Sequence, residues 1–235
     1  MLTEKGRYLH SVIGEYYGFA FLKPRLPVLA WDNAIADQPI QLAELESKPG
    51  NLPMNELALI AGIIVKEKPR AIFEIGTFDG RTAMNMALNS PEDCKIFTLD
   101  LPKELASETR FKISARHLPL IDKDVSGERF RNTSAEEFPA KYKITQLLGD
   151  SGKFDFSPYY NSMDLIFIDG SHDYDYVLND SEIALKLLRD GKGIILWHDY
   201  RVGMEVVKAI ETFRNQHRQL SIYHLKNTSL AYTKV

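Results

Sequence analysis

Ala71-Ile72-Phe73-Glu74-Ile75-Gly76-Thr77-Phe78-Asp79-Gly80-Arg81-Thr82 joins an apolar run to a turn bracketed by two glycines. The Ala- and Met-rich stretch Arg81 to Leu88 continues from it and reads as a helix. Strand, glycine turn and helix in that order make the first crossover of an α/β sheet, where a nucleotide-like ligand binds. Glycine there permits positive φ and a close approach of backbone.

Upstream, Pro53 suits the first turn of a helix, which Leu57 to Val65 continues until Lys68-Pro69 ends it. Tyr8, Val12, Ile13, Tyr16 and Tyr17 share one face of a helix expected over 3–20. Pro24 and Pro27 break the chain, and a short helix is expected over 40–46. Residues 1–52 are thus expected to be a helical extension, and 53–235 one α/β domain.

Downstream, strands are expected at Lys95–Asp100, Ile144–Leu148, Met163–Ile168 and Ile194–Trp197, with helices over 173–189 and 203–216. Leu220–Leu225 and Leu230–Lys234 form a hairpin across Lys226-Asn227-Thr228-Ser229. These make a seven-stranded, mostly parallel sheet with one antiparallel hairpin strand and helices on both faces. Residues 101–143, with one helix expected over 103–116, are longer than a crossover needs. They read as an insertion, either a substrate lid or an oligomer contact. The successive parallel strands end near Glu74, Asp100, Asp150, Asp169 and Asp199, at the carboxyl ends where such sheets hold ligands.

A 235-residue chain that is 44% hydrophobic is ordinary for a globular protein. A net charge of −3 gives no electrostatic case for nucleic acid or an anionic membrane. The single cysteine, Cys94, excludes an internal disulfide framework and reads as a buried, inert thiol. The N-terminus lacks an apolar signal region, and no apolar run approaches ~18 residues. A cytoplasmic protein is expected.

The glycine spacing discriminates among ligands. A dinucleotide fingerprint requires glycine where Phe78 stands. A phosphate-binding loop requires four residues between its glycines and then lysine; Gly76 and Gly80 enclose three, and Arg81 follows. S-adenosylmethionine carries a sulfonium, an amine and a carboxylate but no phosphate, and suits an acidic strand end beside a glycine turn.

Glu74-Ile75-Gly76-Thr77-Phe78-Asp79-Gly80 resembles motif I of class I S-adenosylmethionine-dependent methyltransferases, a Rossmann-like fold. The likeness is to small O-methyltransferases of the catechol and macrolide-sugar kinds and, most of all, to the methyltransferase domain 24 group. It spans roughly 55–235 and takes in Phe97-Thr98-Leu99-Asp100, Leu148-Gly149-Asp150-Ser151, Phe167 to His172 and Trp197-His198-Asp199. The resemblance implies that Glu74, Gly76, Thr77 and Phe78 receive the methionine end. Asp100 would accept the ribose hydroxyls, and Asp150 and Ser151 would border the adenine. Gly80, Thr82, Leu101 and Asp169 complete the implied cofactor-binding set.

Asp169, His172, Asp173 and Asp175 follow one strand, and His198 and Asp199 end its expected neighbour. Two carboxylates 4 Å apart cost about 4 kcal/mol at an effective dielectric near 20, which a divalent cation such as Mg, Mn or Ca would relieve. By resemblance to metal-dependent O-methyltransferases, Asp169 and Asp199 match ligand places, with His198 where another acid usually stands. Such an ion would lower the acceptor hydroxyl's pKa. His172 stands where catechol-type enzymes carry a general-base lysine, and with Asp169 makes the candidate catalytic pair. A second-shell or capping role for His172 is the alternative. Tyr174, Tyr176 and Trp197 are read as packing residues, and His10, His117, His217 and His224 have no visible partner.

Three functions remain in competition. One is methyl transfer from S-adenosylmethionine to a small-molecule or sugar hydroxyl. Another is a metal-dependent oxygenase or hydrolase using Asp169, His172 and His198. The third is an adenosyl-ligand binding module without turnover. A homodimer through the N-terminal helix is a further expectation.

Overall fold

The computed structural model describes residues 24–35, 37–114, 117, 121 and 125–235. The helix expected over 3–20 lies outside them. In chain order the elements are β1 (Val28–Leu29), α1 (Met54–Glu67), β2 (Ala71–Ile75), α2 (Arg81–Asn89), β3 (Lys95–Asp100), α3 (Glu128–Asn132) and β4 (Ile144–Leu148). Then come β5 (Leu165–Ile168), α4 (Tyr174–Leu187), β6 (Ile194–Trp197), α5 (Glu205–Gln216), β7 (Ile222–Leu225) and β8 (Ala231–Lys234).

Among the described residues the sheet runs β1-β7-β8-β6-β5-β2-β3-β4. Only β8 runs against its neighbours, through its pairings with β6 and β7. Eight strands therefore replace the expected seven. The added one, Val28–Leu29, pairs parallel to β7 and comes from the stretch expected to be a helical extension.

Residues 71–75 are all buried because the strand is covered on both faces, which is why it reads as a continuous apolar run. Ile72, Ile96, Leu165, Phe167 and Leu196 pack with Ile60, Ile63 and Ile64 of α1 and Met84 and Ala87 of α2. Phe73, Ile75, Ile166, Ile168, Ile195 and Trp197 pack on the other face with Val177 and Leu187 of α4 and Val207, Ile210 and Phe213 of α5. Alternate side chains of a strand point to opposite faces, and this splits one run between two cores.

Two expected helices do not form. Residues 40–46 form neither helix nor strand, and Glu44 takes φ +55°. Ala43 N–H donates to Asn85 Oδ1 at 2.9 Å, and Asn85 Nδ2 donates back to Ala43 O at 3.1 Å. Asn89 repeats the exchange with Gln41 one turn on. Buried Arg81 donates to the carbonyls of Glu44 and Leu52. The polar face of α2 thus supplies the partners that a short helix would have had to find internally, at high nucleation cost. Over 103–116, the described residues form a 3-10 turn at Lys103–Leu105 and then irregular backbone. Side chains again outcompete the helix: Arg110 N–H donates to Asp150 Oδ2 at 2.7 Å and Ser114 N–H to Asp173 Oδ2 at 2.8 Å.

Candidate active site

β2 lies between β3 and β5, and the chain leaves these strands in opposite directions across the sheet. That reversal opens a crevice at the carboxyl ends. Gly76 sits there with φ +101°, and a Cβ would lie 2.2 Å from Asp169 O. Glycine is required because two strand ends meet with no room for a side chain. Gly80 serves packing instead. Its φ is +87°, and a Cβ would strike the Phe130 ring at 2.5 Å.

Asp79, between these glycines, is fully buried and organises the surroundings. Its Oδ1 accepts from Asn51 Nδ2 at 2.9 Å and its Oδ2 from Arg129 Nε at 2.7 Å. Arg129 also reaches Glu44 Oε2, at 2.6 Å. The upstream strap and α3 are therefore fastened to the turn through one carboxylate. Sequence reasoning missed this role, because an acid inside a glycine turn looks like any solvated loop residue.

A cavity of ≈ 680 Å³ opens over the turn. Gly76, Phe78, Asp100 and Leu101 line one part of it, Asp150 and Ser151 the next, and Asp169, His172, His198 and Asp199 the far end. Glu74, Thr77, Gly80 and Thr82 are not on its wall. Glu74 is wholly buried on the opposite face of β2, where Thr98 Oγ1 donates to its Oε2. Thr77 Oγ1 meets the same Thr98 hydroxyl at 2.7 Å. Burial pushes the Glu74 carboxyl well above its ordinary pKa, only partly opposed by the Thr98 bond. Side-chain alternation gives the reason: with Phe73 and Ile75 facing one core, Glu74 must face the other.

Burial raises the Asp100 pKa to about 6, opposed by bonds from the Ser126 hydroxyl and the backbone amides of Thr77, Leu101 and Phe78. Asp150 accepts from Arg110 N–H, from Gly152 N–H at 2.9 Å and from the Tyr176 hydroxyl at 2.8 Å. Tyr176 thus both packs and holds a cavity carboxylate. The residues on the wall suit a nucleoside ligand: carboxylates that accept from hydroxyls and amines, beside a turn that Gly76 leaves open to close backbone approach.

At the far end, acids and histidines alternate. His198 Nδ1 lies 2.8 Å from Asp169 Oδ1, and its Nε2 lies 2.9 Å from Glu56 Oε2. Burial lowers the His198 pKa, but Asp169 and Glu56 outweigh it and raise it to about 11. His172 Nε2 lies 3.0 Å from Asp199 Oδ2 and 3.9 Å from Asp169 Oδ1. Burial again opposes, and these two carboxylates prevail, raising His172 to about 9. Asp199, at φ +55°, also pairs with Arg201 Nε at 2.9 Å. Burial would raise its pKa, but His172, His198 and Arg201 hold it at about 2.

The divalent ion expected on Asp169, His198 and Asp199 is not shown by this arrangement. Both ring nitrogens of His198 are engaged by carboxylates, so neither offers the lone pair that a ligand needs. Among the described residues, no group of three or more histidines, cysteines or acids is arranged to hold a metal. The oxygenase set Asp169, His172 and His198 is likewise a chain of ion pairs. Glu56 was absent from the expected site, and 142 positions separate it from His198. His117, expected to have no partner, faces His172 Nδ1 through its Nε2 at 3.2 Å.

A family model described as a methyltransferase domain matches residues 73–200, more than half of the chain. No curated protein sequence matches significantly. Among solved structures, the O-methyltransferase TomG from Streptomyces achromogenes, involved in tomaymycin synthesis and in complex with SAM, is 16% identical. The match covers 79% of this chain and 81% of that one, with TM-score 0.53. The SAH-bound methyltransferase PaMTH1 from Podospora anserina is 14% identical over 79% and 80% of the two chains, with TM-score 0.53. Cofactor-bound Rv0187 from MTB is 13% identical over 100% and 97%, with TM-score 0.52. At these identities the neighbours share the fold. The family match covers the glycine turn and each of the strand ends that line the cavity, and on that ground the chain belongs to the methyltransferase-domain family, as a class I S-adenosylmethionine-dependent methyltransferase.

Proposed function

We propose that the protein O-methylates a hydroxyl of a small molecule, with the cofactor along Gly76–Asp100–Asp150 and the acceptor beside His172. The observation that carries this reading is the single cavity joining Asp100 and Asp150 at one end to His172 at the other. Gly76 and Phe78 border the methionine part, Asp100 accepts the ribose hydroxyls, and Asp150 and Ser151 border the adenine. S-adenosylmethionine, when bound, supplies an electrophilic methyl group. The chain's own work is to align the acceptor oxygen with it and to remove the acceptor's proton.

His172 Nε2 is the proposed proton acceptor, held by Asp199 and Asp169. With a pKa raised to about 9 it rests as imidazolium. A unit positive charge within ~8 Å disfavours that form by about 2 kcal/mol at an effective dielectric near 20. A cationic ligand in this cavity therefore returns the ring toward the neutral form a base requires.

Calorimetry with S-adenosylhomocysteine tests the cofactor half. Asp100→Ala removes an acceptor of two hydroxyl hydrogen bonds, together about 3 kcal/mol, and should weaken binding about 100-fold. Folded wild-type protein that fails to bind, or a variant that binds as well as wild type, overturns the assignment. Turnover is then read as S-adenosylhomocysteine release across a panel of phenols, sugars and hydroxy acids, where His172→Ala should abolish the rate but keep cofactor affinity.

A further inference from the structure

Arg201 lines the far end of the cavity, as do His172, Asp199, Pro53 and Met204. It follows β6 in a loop whose backbone is held on both sides. Tyr200, fully buried, accepts the N–H groups of Arg25 and Leu26 at its hydroxyl, which donates to Glu211 Oε1. The Tyr200 N–H donates to Ser229 O at 2.8 Å. Arg201 N–H donates to Asp199 O at 2.8 Å, and Arg201 O accepts from Met204 N–H at 3.2 Å. The residue is thus fixed at its Cα, while its side chain stays 62% exposed at the cavity wall.

The guanidinium meets one acid by one edge. Its Nε lies 2.9 Å from Asp199 Oδ1, while Asp199 Oδ2 faces His172 Nε2 at 3.0 Å. Among the described residues, neither terminal nitrogen of Arg201 donates a hydrogen bond. A guanidinium carries its donors in a rigid planar fork, so the outer edge keeps its capacity for a bidentate anion. The carboxylates nearby are already engaged, Asp169 by His198 and Asp199 by His172. Contacts to the two oxygens of one carboxylate place His172 Nε2 and Arg201 Nε within about 8 Å of each other. A hydroxyl beside His172 and an anion on the outer edge of Arg201 then stand about 5–8 Å apart. Pro53 and Met204 supply apolar wall for the carbon frame between them.

We propose that Arg201 selects the acceptor, a hydroxy acid whose carboxylate binds the outer edge of the guanidinium while its hydroxyl lies beside His172. A monoanion suits a single guanidinium that already shares its charge with Asp199. The cofactor carries a carboxylate too, but its methionine end belongs at Gly76 and Phe78, which follow β2, and β5 lies between β2 and β6. Two strand spacings, about 10 Å, separate those strand ends. The substrate class rests on the proposed O-methylation beside His172; the anion site does not.

Calorimetry on the full chain saturated with S-adenosylhomocysteine reads the anion site without turnover. The probes are meta- and para-hydroxybenzoate, which span the required distance, each beside its uncharged hydroxybenzamide. Each acid should bind wild type about 30-fold more tightly than its amide, the worth of a charge-assisted pair. Arg201→Gln leaves Asp199 paired with His172. It should bring the acids down to the amides and leave amide binding unchanged, which also shows that the variant is folded. Arg201→Lys, with the charge but not the fork, should recover part of the difference. Acids that bind wild type no better than their amides, or not at all, overturn the proposal. So does an equal loss of acid and amide in Arg201→Gln, which would mark a structural residue. A loss of S-adenosylhomocysteine affinity in Arg201→Gln, with acid binding intact, would assign the guanidinium to the cofactor's carboxylate and overturn it as well. Acids held through Arg201 but never methylated at their hydroxyl would leave the anion site standing and remove the O-methylation reading instead.

Discussion

Gly76→Ala tests the contact on which the whole site depends. The new methyl group would lie 2.2 Å from Asp169 O, 2.5 Å from its carbonyl carbon and 2.8 Å from Gly170 N. All three are backbone atoms, so no side chain can swing away. Two hydrogen bonds flank the clash, Gly76 N–H to Leu99 O and Asp169 N–H to Ile75 O, each 2.8 Å. Opening the β2–β5 gap by ~1 Å stretches the Asp169–Ile75 bond that spans it, and moving Gly76 to do so distorts its bond to Leu99 of β3, at about 1 kcal/mol each or more if a buried group is left unpaired. The positive φ of +101° adds about 1–2 kcal/mol once a Cβ is present. The sum is about 3–5 kcal/mol, among the larger effects of single substitutions. Gly191→Ala is the control: its φ is +66°, and an added Cβ meets nothing within 4 Å. It carries the conformational term alone, about 1 kcal/mol. Urea denaturation followed by fluorescence reads the difference. At a slope of about 2–3 kcal/mol per molar, Gly76→Ala should shift the midpoint by about 1–2 M and the control by less than about 0.5 M. Equal shifts would show that the close approach of Gly76 to Asp169 is not a constraint.

Asp180→Asn should stabilise the protein increasingly as pH rises. Asp180 is fully buried, accepts from Asn179 Nδ2 at 3.1 Å and leaves Oδ2 without a partner. Burial raises its pKa from 3.8 to about 7. The folded state therefore holds this proton more tightly than the unfolded chain does, and wild-type stability declines from about pH 4 to about pH 7 by up to ~4 kcal/mol. The variant lacks that term, so parallel pH profiles of the two urea midpoints would refute it. Glu56→Gln breaks a buried ion pair with His198 yet keeps an amide for Ser229. It should cost about 2–3 kcal/mol, and an unchanged thermal midpoint would show that His198 does not depend on Glu56 for its charge.

The sheet was legible because a parallel strand buried on both faces has no polar alternation to blur it. Ile194–Trp197, buried throughout, stands at the bounds expected for it, and so do Lys95–Asp100 and the partly exposed edge strand Ile144–Leu148. Val28–Leu29 was not legible: two residues are too few to show a period, and β7 holds them from the far end of the chain. Residues 40–46 and 103–116 were misread for a common reason. Local propensity describes what a segment does with its own hydrogen bonds, whereas these segments give theirs to Asn85 and Asn89 and to Asp150 and Asp173. Glu74 shows the converse limit. Its position in the motif was plain, but which face of β2 it takes is decided by the neighbours on that strand.

The far end of the cavity was half legible, and the missing half changed the chemistry inferred. Asp169 and Asp199 do gather at adjacent strand ends, as the strand order requires. Counting acids there leads to an unbalanced negative charge and so to a metal. Two facts upset that count. Protonation of histidine is set by its surroundings and not by its identity, so the two histidines beside these acids enter as cations. Glu56 then joins from α1, held by Ser229 of the terminal hairpin, and gives His198 a second carboxylate. Three acids, Glu56, Asp169 and Asp199, face two histidines and the Arg201 guanidinium, so counting acids alone overstates the negative charge. Each added positive charge favours release of a proton from the weaker-held ring, His172. The same pairing gives the proposed base its means of activation.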